Sequence, residues 1–155
     1  MQLFNLLFFT TSAILAENFH NDWNSNINWV DNSDVSAFEN QVKESGKYGM
    51  MVIHKSWCGA CKALKPNFSS SDTIEKLSEN FIMFNALDEQ EPSDQSYQPD
   101  GGYIPRILFV DPKTGKVDAK LKNQGRSDYQ YFYSSSAEIV KSMEKILEGQ
   151  KKEEL

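Results

Sequence analysis

Met50-Met51-Val52-Ile53-His54-Lys55-Ser56-Trp57-Cys58-Gly59-Ala60-Cys61-Lys62-Ala63-Leu64-Lys65-Pro66 is the stretch that decides the fold. It opens on a continuous apolar run, as a central strand does when both its faces are covered. It closes on Lys62-Ala63-Leu64-Lys65, residues that favour a helix. Between the two stand the only two cysteines of the chain, three residues apart. A strand that ends, turns and opens a helix here sets both sulfurs at the helix N-terminus. Unpaired backbone N–H groups and the positive end of the helix dipole favour a thiolate there, the form that carries out thiol–disulfide exchange. Residues three apart on a helix share a face at about 5–6 Å, which suits a Cys58–Cys61 disulfide. Cys58, at the tip, is predicted to be exposed and to be the nucleophile. Cys61, one turn in, is predicted to be buried and to resolve the mixed disulfide. Trp57 offers a flat apolar wall, and small Gly59 and Ala60 leave the tip open to a peptide, so all three are candidate substrate-binding residues.

Other uses of the pair fit less well. A structural disulfide across so short a loop contributes little stability. Zinc needs about four ligands, and His20 and His54 are the only imidazoles, so no metal is expected.

The two ends carry addresses. Leu3-Phe4, Leu6-Leu7-Phe8-Phe9 and Ala13-Ile14-Leu15 form an uncharged apolar stretch of signal-peptide length, too short and interrupted for a comfortable membrane span. Cleavage is expected after Ala16, or else Ala13, which removes residues 1–16 and leaves no stable membrane anchor; the polar Glu17-Asn18 that follows disfavours an uncleaved one. Lys152-Glu153-Glu154-Leu155 differs from Lys-Asp-Glu-Leu by one methylene, and such tails are read by the endoplasmic-reticulum retention receptor. Together the two signals place the chain in the endoplasmic-reticulum lumen, where disulfides form.

The 155 residues suffice for one domain with its own core, and 39% hydrophobic content argues against disorder. A net charge of −6 leaves no basic footprint for nucleic acid. Residues 17–26 read as a loose polar leader, 27–149 as the domain and 150–155 as the tail. Within the domain, Ile27–Val30 is a strand candidate. Ser36 and Glu39 read as a capping box for a helix with Val35, Phe38 and Val42 on its core face. Pro66 is predicted to kink or end the helix that opens at Cys58, and Asp72 and Glu75 to cap a new one. Strands are predicted at Phe81–Phe84, Ile107–Val110 and, after a turn at Asp111–Gly115, Val117–Leu121. Between the first two lies a long acidic loop, Asp88 to Tyr103. A last helix, capped by Ser135 and Glu138 and ended by Gly149, buries Ile139, Val140, Met143, Ile146 and Leu147. The order βαβαβ, hairpin, α gives an α/β domain whose mixed central sheet has helices on both faces.

Trp57-Cys58-Gly59-Ala60-Cys61-Lys62 with Pro66, and Tyr103-Ile104-Pro105-Arg106 opening an apolar strand, resemble the thioredoxin superfamily, in its disulfide-isomerase-like branch. The longer stretches 54–66 and 100–109 are similar to single-domain endoplasmic-reticulum members related to the anterior gradient proteins. The resemblance implies the thioredoxin fold, protein thiol–disulfide oxidoreductase activity and glutathione as redox partner, with no cofactor beyond the redox-active disulfide. It implies that Ile104-Pro105 is cis and that Ile104 and Pro105 bind client, the Ile104 backbone pairing with an added strand. Three features depart from the family. Ala60 stands where disulfide isomerases commonly have His. Val52 stands where many members keep a buried acid, with His54 or Lys55 as possible replacements. The acidic loop stands where thioredoxin has a helix; a loop suffices, because both flanking strands meet it at the same edge of the sheet.

The expected function is therefore a luminal oxidoreductase acting on secretory client proteins. The alternatives are a client-binding chaperone or trafficking factor of anterior-gradient type, and a redox-inert domain. Among smaller signals, Asn67-Phe68-Ser69 is a glycosylation sequon expected to stay unoccupied. Asp88, Glu89, Glu91 and Asp94 read as a solvated acidic loop, Arg106 as a contact to client or glutathione or else a surface salt bridge, and Tyr129, Tyr131, Phe132 and Tyr133 as core and rim.

Overall fold

The computed structural model describes residues 23–31 and 33–155. The expected signal peptide and the leader as far as residue 22 lie outside them. The central element is strand β1, Gly49–His54, buried along its whole length. It pairs in parallel with β2, Ile82–Leu87, on one side. On the other it pairs antiparallel with β3, Arg106–Asp111, which in turn pairs with the short β4, Lys116–Val117. The sheet order is β2-β1-β3-β4, a mixed sheet. Trp29 adds one parallel bridge to Met83 in place of the expected strand at Ile27–Val30.

The period-2 alternation of β1 divides the core. Met50 and Val52 face helices α2, Gly59–Ser69, α3, Asp72–Ser78, and α4, Ser136–Glu153, in one cluster with Leu64, Phe68, Ile74, Ile139 and Met143. Met51 and Ile53 face α1, Val35–Ser45, in a second cluster with Phe38 and Val42. Helices thus cover both faces of the sheet. Gly49 lets α1 approach closely, since a Cβ there would lie 2.6 Å from the Phe38 ring.

Several local expectations are corrected. The N-cap of α1 is Asp34, whose Oδ1 accepts from the Ser36 N–H at 2.8 Å, so Ser36 lies inside the helix. For α3 the cap is Ser71, with Asp72 and Glu75 in the first turn. Helix α2 runs through Pro66 for one further turn, because that turn carries Phe68, fully buried against Trp23 and Trp29, and packing there outweighs the missing N–H. Helix α4 likewise passes Gly149, an exchange costing only about 1 kcal/mol, and ends at Glu153, held by the Gln150 side chain on the Gly46 carbonyl and by a Lys113–Glu153 ion pair. Lys152 and Glu153 are therefore helical, while Leu155 is fully exposed. The strand after the 111–115 turn stops at Val117, because the Asp118 side chain accepts from the Lys120 N–H and turns the chain away. The 88–103 segment holds two short 3-10 turns, Asp88–Gln90 and Gln95–Tyr97. It joins strand ends that lie at one end of the sheet with β1 between them, where His54 pairs with Leu87 and Ile53 with Arg106.

The leader is ordered from Trp23 onward rather than loose to residue 26. Trp23 is buried between Phe68 and His54, and Asn24 and Asn26 both donate to Glu75. Trp23→Ala is therefore expected to cost about 3–5 kcal/mol, read as a lowered urea midpoint with unchanged slope.

Candidate functional site

The working end of the sheet is where β1 stops. After His54 the chain turns through Lys55-Ser56-Trp57, the turn being closed by the Cys58 N–H on the Lys55 carbonyl at 3.2 Å. Cys58 is the N-cap of α2. Its Sγ accepts from the Cys61 N–H at 3.1 Å and is bonded to Cys61 Sγ, with the Cα atoms 5.2 Å apart. The sulfur thus occupies the place that a Ser or Asp oxygen usually takes at a helix start. The same N–H group and the helix dipole stabilise negative charge on it once the disulfide opens.

Cys61 is buried, as expected. Cys58 is not exposed, which corrects the expectation: only 5% of it is accessible, and both cysteines belong to the cluster on the α2 side of the sheet. The Cys58 sulfur is bonded to Cys61 within a cluster that Ile104 also packs against. Around the pair, Gly59 and Ala60 are exposed, and Trp57 is 73% exposed and points its apolar surface outward. Ile104–Pro105 is cis, as the resemblance implies. It lies one step beyond the Ile53–Arg106 pairing, beside the end of β1 that leads to the cysteines. The substrate-binding candidates Trp57, Gly59, Ala60, Ile104 and Pro105 therefore gather at one end of the sheet with Cys58 and Cys61. Lys152, Glu153, Glu154 and Leu155 do not; the end of α4 stands with Gly46 and Lys113.

Arg106 is neither a client contact nor a surface bridge. It is completely buried. Its guanidinium donates to the carbonyls of Tyr97 and Tyr103 and to Glu91. Glu91 also pairs with Lys55 at 2.6 Å, and Lys55 donates to the Asp88 carbonyl. Asp88 Oδ1 accepts from the Ser56 N–H at 2.9 Å, a bond that holds its carboxyl below the ordinary range. Burial pushes the Glu91 carboxyl up, but the bonds from Lys55 and Arg106 outweigh it and hold it low. The 88–103 segment is thus clamped through Glu91 and Asp88 to the turn after β1 and to the cis-proline strand, while Glu89 and Asp94 are exposed as expected. The position of Val52 is filled by a wholly apolar, buried side chain. Sequence reasoning missed the Arg106–Glu91–Lys55 clamp, since spacings of 15 and more residues carry no local period. It also missed Trp23 and Asn85, which stand beside His54. Asn67 is exposed on α2, its amide on the Ala63 carbonyl, and among the ring-bearing residues Tyr131 and Tyr133 are core while Tyr129 is exposed. No helix among the described residues is long and apolar enough to cross a membrane.

Comparison with known proteins agrees with this geometry. The Thioredoxin-like family model matches residues 28–112. Anterior gradient protein 3 of Mus musculus is 34% identical over 127 residues, 81% of this chain and 74% of that protein. Anterior gradient protein 2-B of Xenopus laevis is 33% identical over the same shares. The anterior gradient protein 2 homolog of Homo sapiens is 31% identical over 134 residues, 86% of this chain and 74% of its own.

The clamp has a pH signature. A carboxyl held below its unfolded value of 4.5 contributes stability that is present above that value and lost as pH falls through the folded one. Wild type is expected to lose stability below the ordinary carboxylate range, and Glu91→Gln to flatten that part of the profile in urea titrations. Arg106→Ala leaves Glu91 with Lys55 alone and takes the donor from the Tyr97 and Tyr103 carbonyls, and is expected to cost about 1–3 kcal/mol.

Proposed function

The chain belongs to the thioredoxin-like family, and on that premise we propose that it is a protein thiol–disulfide oxidoreductase of the endoplasmic-reticulum lumen. The observation that carries the reading is the disulfide closed between the N-cap of α2 and the residue one turn in, at the same sheet end as the cis Ile104–Pro105. In the reducing direction the Cys58 thiolate attacks a client disulfide and expels one client sulfur as thiolate. The Cys61 thiolate then attacks Cys58 Sγ, releases the second client sulfur and closes the Cys58–Cys61 bond. In the oxidising direction a client thiolate attacks Cys58 Sγ and expels Cys61. Glutathione disulfide or glutathione restores the pair. Trp57, Gly59 and Ala60 form the approach to Cys58, and the Ile104 backbone holds the client chain as an added strand.

Clients are secretory proteins with disulfides or free thiols. The apolar N-terminal stretch and the Lys152-Glu153-Glu154-Leu155 tail support entry to the lumen and return by the retention receptor. Similarity to the anterior gradient proteins supports a second reading, a client-binding chaperone or trafficking factor with little turnover, but that role needs no resolving sulfur.

Insulin reduction and oxidative refolding of a reduced client separate the two. Wild type is expected to accelerate both, and Cys58→Ser to abolish the acceleration; equal rates contradict the enzyme. Cys61→Ser is expected to accumulate clients as mixed disulfides on nonreducing gels. In secretory cells, removal of residues 152–155 is expected to move the protein from the cell to the medium.

A further inference from the structure

Cys61 has to lose a proton before it can close the disulfide, and it is buried. The apolar Val52 cannot take that proton. A cavity of about 180 Å3 lies beside the start of α2, and both Cys61 and His54 line it. That volume accepts several waters, each needing about 10–15 Å3. The His54 ring is buried, with Trp23 against it at 4.8 Å between centroids. Its Nε2 meets Asn85 Oδ1 across the β1–β2 pairing. A carboxamide oxygen only accepts, so Nε2 carries the hydrogen and Nδ1 is the basic nitrogen.

We propose that His54, oriented by Asn85, is the proton acceptor for Cys61 in the closing step, acting through water in this cavity. The inference rests on the oxidoreductase reading and assigns the proton path of that same site. With a client or glutathione sulfur bonded to Cys58, the Cys61 thiol passes its proton by way of water to His54 Nδ1. The Cys61 thiolate attacks Cys58 Sγ; the Cys58–Cys61 bond forms, the bond to the departing sulfur breaks, and that sulfur leaves as thiolate and takes its proton from solvent. The imidazolium returns its proton to water.

Charged side chains stand around this cavity. From α2, Lys62 and Lys65 line the same cavity; from the turn after β1 comes Lys55, committed to Glu91; after β2 comes Asp88, whose carboxyl is held in its charged form chiefly by the Ser56 N–H. The carboxylates of Asp88 and Glu91 are held in place by Ser56, Lys55 and Arg106.

The test mixes reduced protein with glutathione disulfide across about pH 5–9, separating the Cys58–glutathione adduct from the closed disulfide by acid quench and mass. In parallel the His54 ring is titrated by NMR, with His20→Gln removing the only other imidazole. Wild-type closure is expected to inflect where the His54 ring titrates. In His54→Gln, adduct formation is expected to keep its rate. Closure near neutral pH is expected to fall roughly 100-fold and to recover only toward the range of an unassisted thiol, about 8.5. A merely structural role slows both steps without moving the inflection. Closure in His54→Gln with the wild-type rate and profile overturns the proposal. Should that variant fail to fold, a wild-type inflection that does not follow the His54 titration overturns it as well. If wild type forms no glutathione adduct at all, the oxidoreductase reading itself fails and this inference with it; a normal adduct with unaltered closure contradicts only the role of His54.

Discussion

The N-terminus of α2 is closed by a sulfur, and much of the molecule serves to hold that sulfur in place. A helix start has backbone N–H groups without partners, and here one of them is met by Cys58 Sγ. The arrangement requires that the chain enter the helix from a fixed direction. Strand β1 supplies it: six residues paired on both edges and covered on both faces, with no freedom to shift register without turning its apolar side chains over. The cysteine pair is therefore attached to the most constrained strand of the fold, while Trp57, Gly59 and Ala60, immediately beside it, remain exposed.

The opposite wall of the site is held by different forces. The cis-proline strand and the 88–103 segment are joined through Arg106, Glu91 and Lys55, with main-chain carbonyls of Tyr97 and Tyr103 completing the guanidinium. Such a buried ionic group adds little net stability compared with apolar packing, because the Coulomb gain is set against desolvation. Its effect is directional. Two strand ends and one long connection, none of which has a helix to position it, meet at fixed angles. The apolar cluster on the α2 side then fixes the depth of the pair, with Ile104 packed against both clusters of the core.

Much of this was legible in the sequence because it is local. An unbroken apolar run, two cysteines at helical spacing and a proline before a second apolar run identify the two strands and the helix that build the site. The apolar faces of α1 and α4 are visible in Phe38 and Val42, and in Ile139, Met143 and Ile146. What escaped depends on distant pairs. Trp23 reads as part of a polar leader until Phe68 and His54 are seen around it. Arg106 reads as a surface charge until Glu91, fifteen residues away, is found beside it. Pro66 and Gly149 are breakers by propensity, and both lie inside helices because tertiary contacts on the following turn outweigh a cost of about 1–3 kcal/mol. The burial of Cys58 could not be inferred from its place at a helix tip, since it depends on the cluster that gathers around it, with Cys61 and Ile104.

The central claim is that Cys58 and Cys61 form a working couple rather than a structural staple. A four-residue loop gives the oxidised form little entropic advantage, and the helix start favours the reduced Cys58 as thiolate. Equilibration of the pair against glutathione and dithiothreitol buffers, read by thiol alkylation and mass, tests this directly. The account predicts one two-electron transition at a potential above about −270 mV, in the range of dithiol exchange proteins. A pair that stays oxidised below about −300 mV, as structural disulfides do, would contradict it.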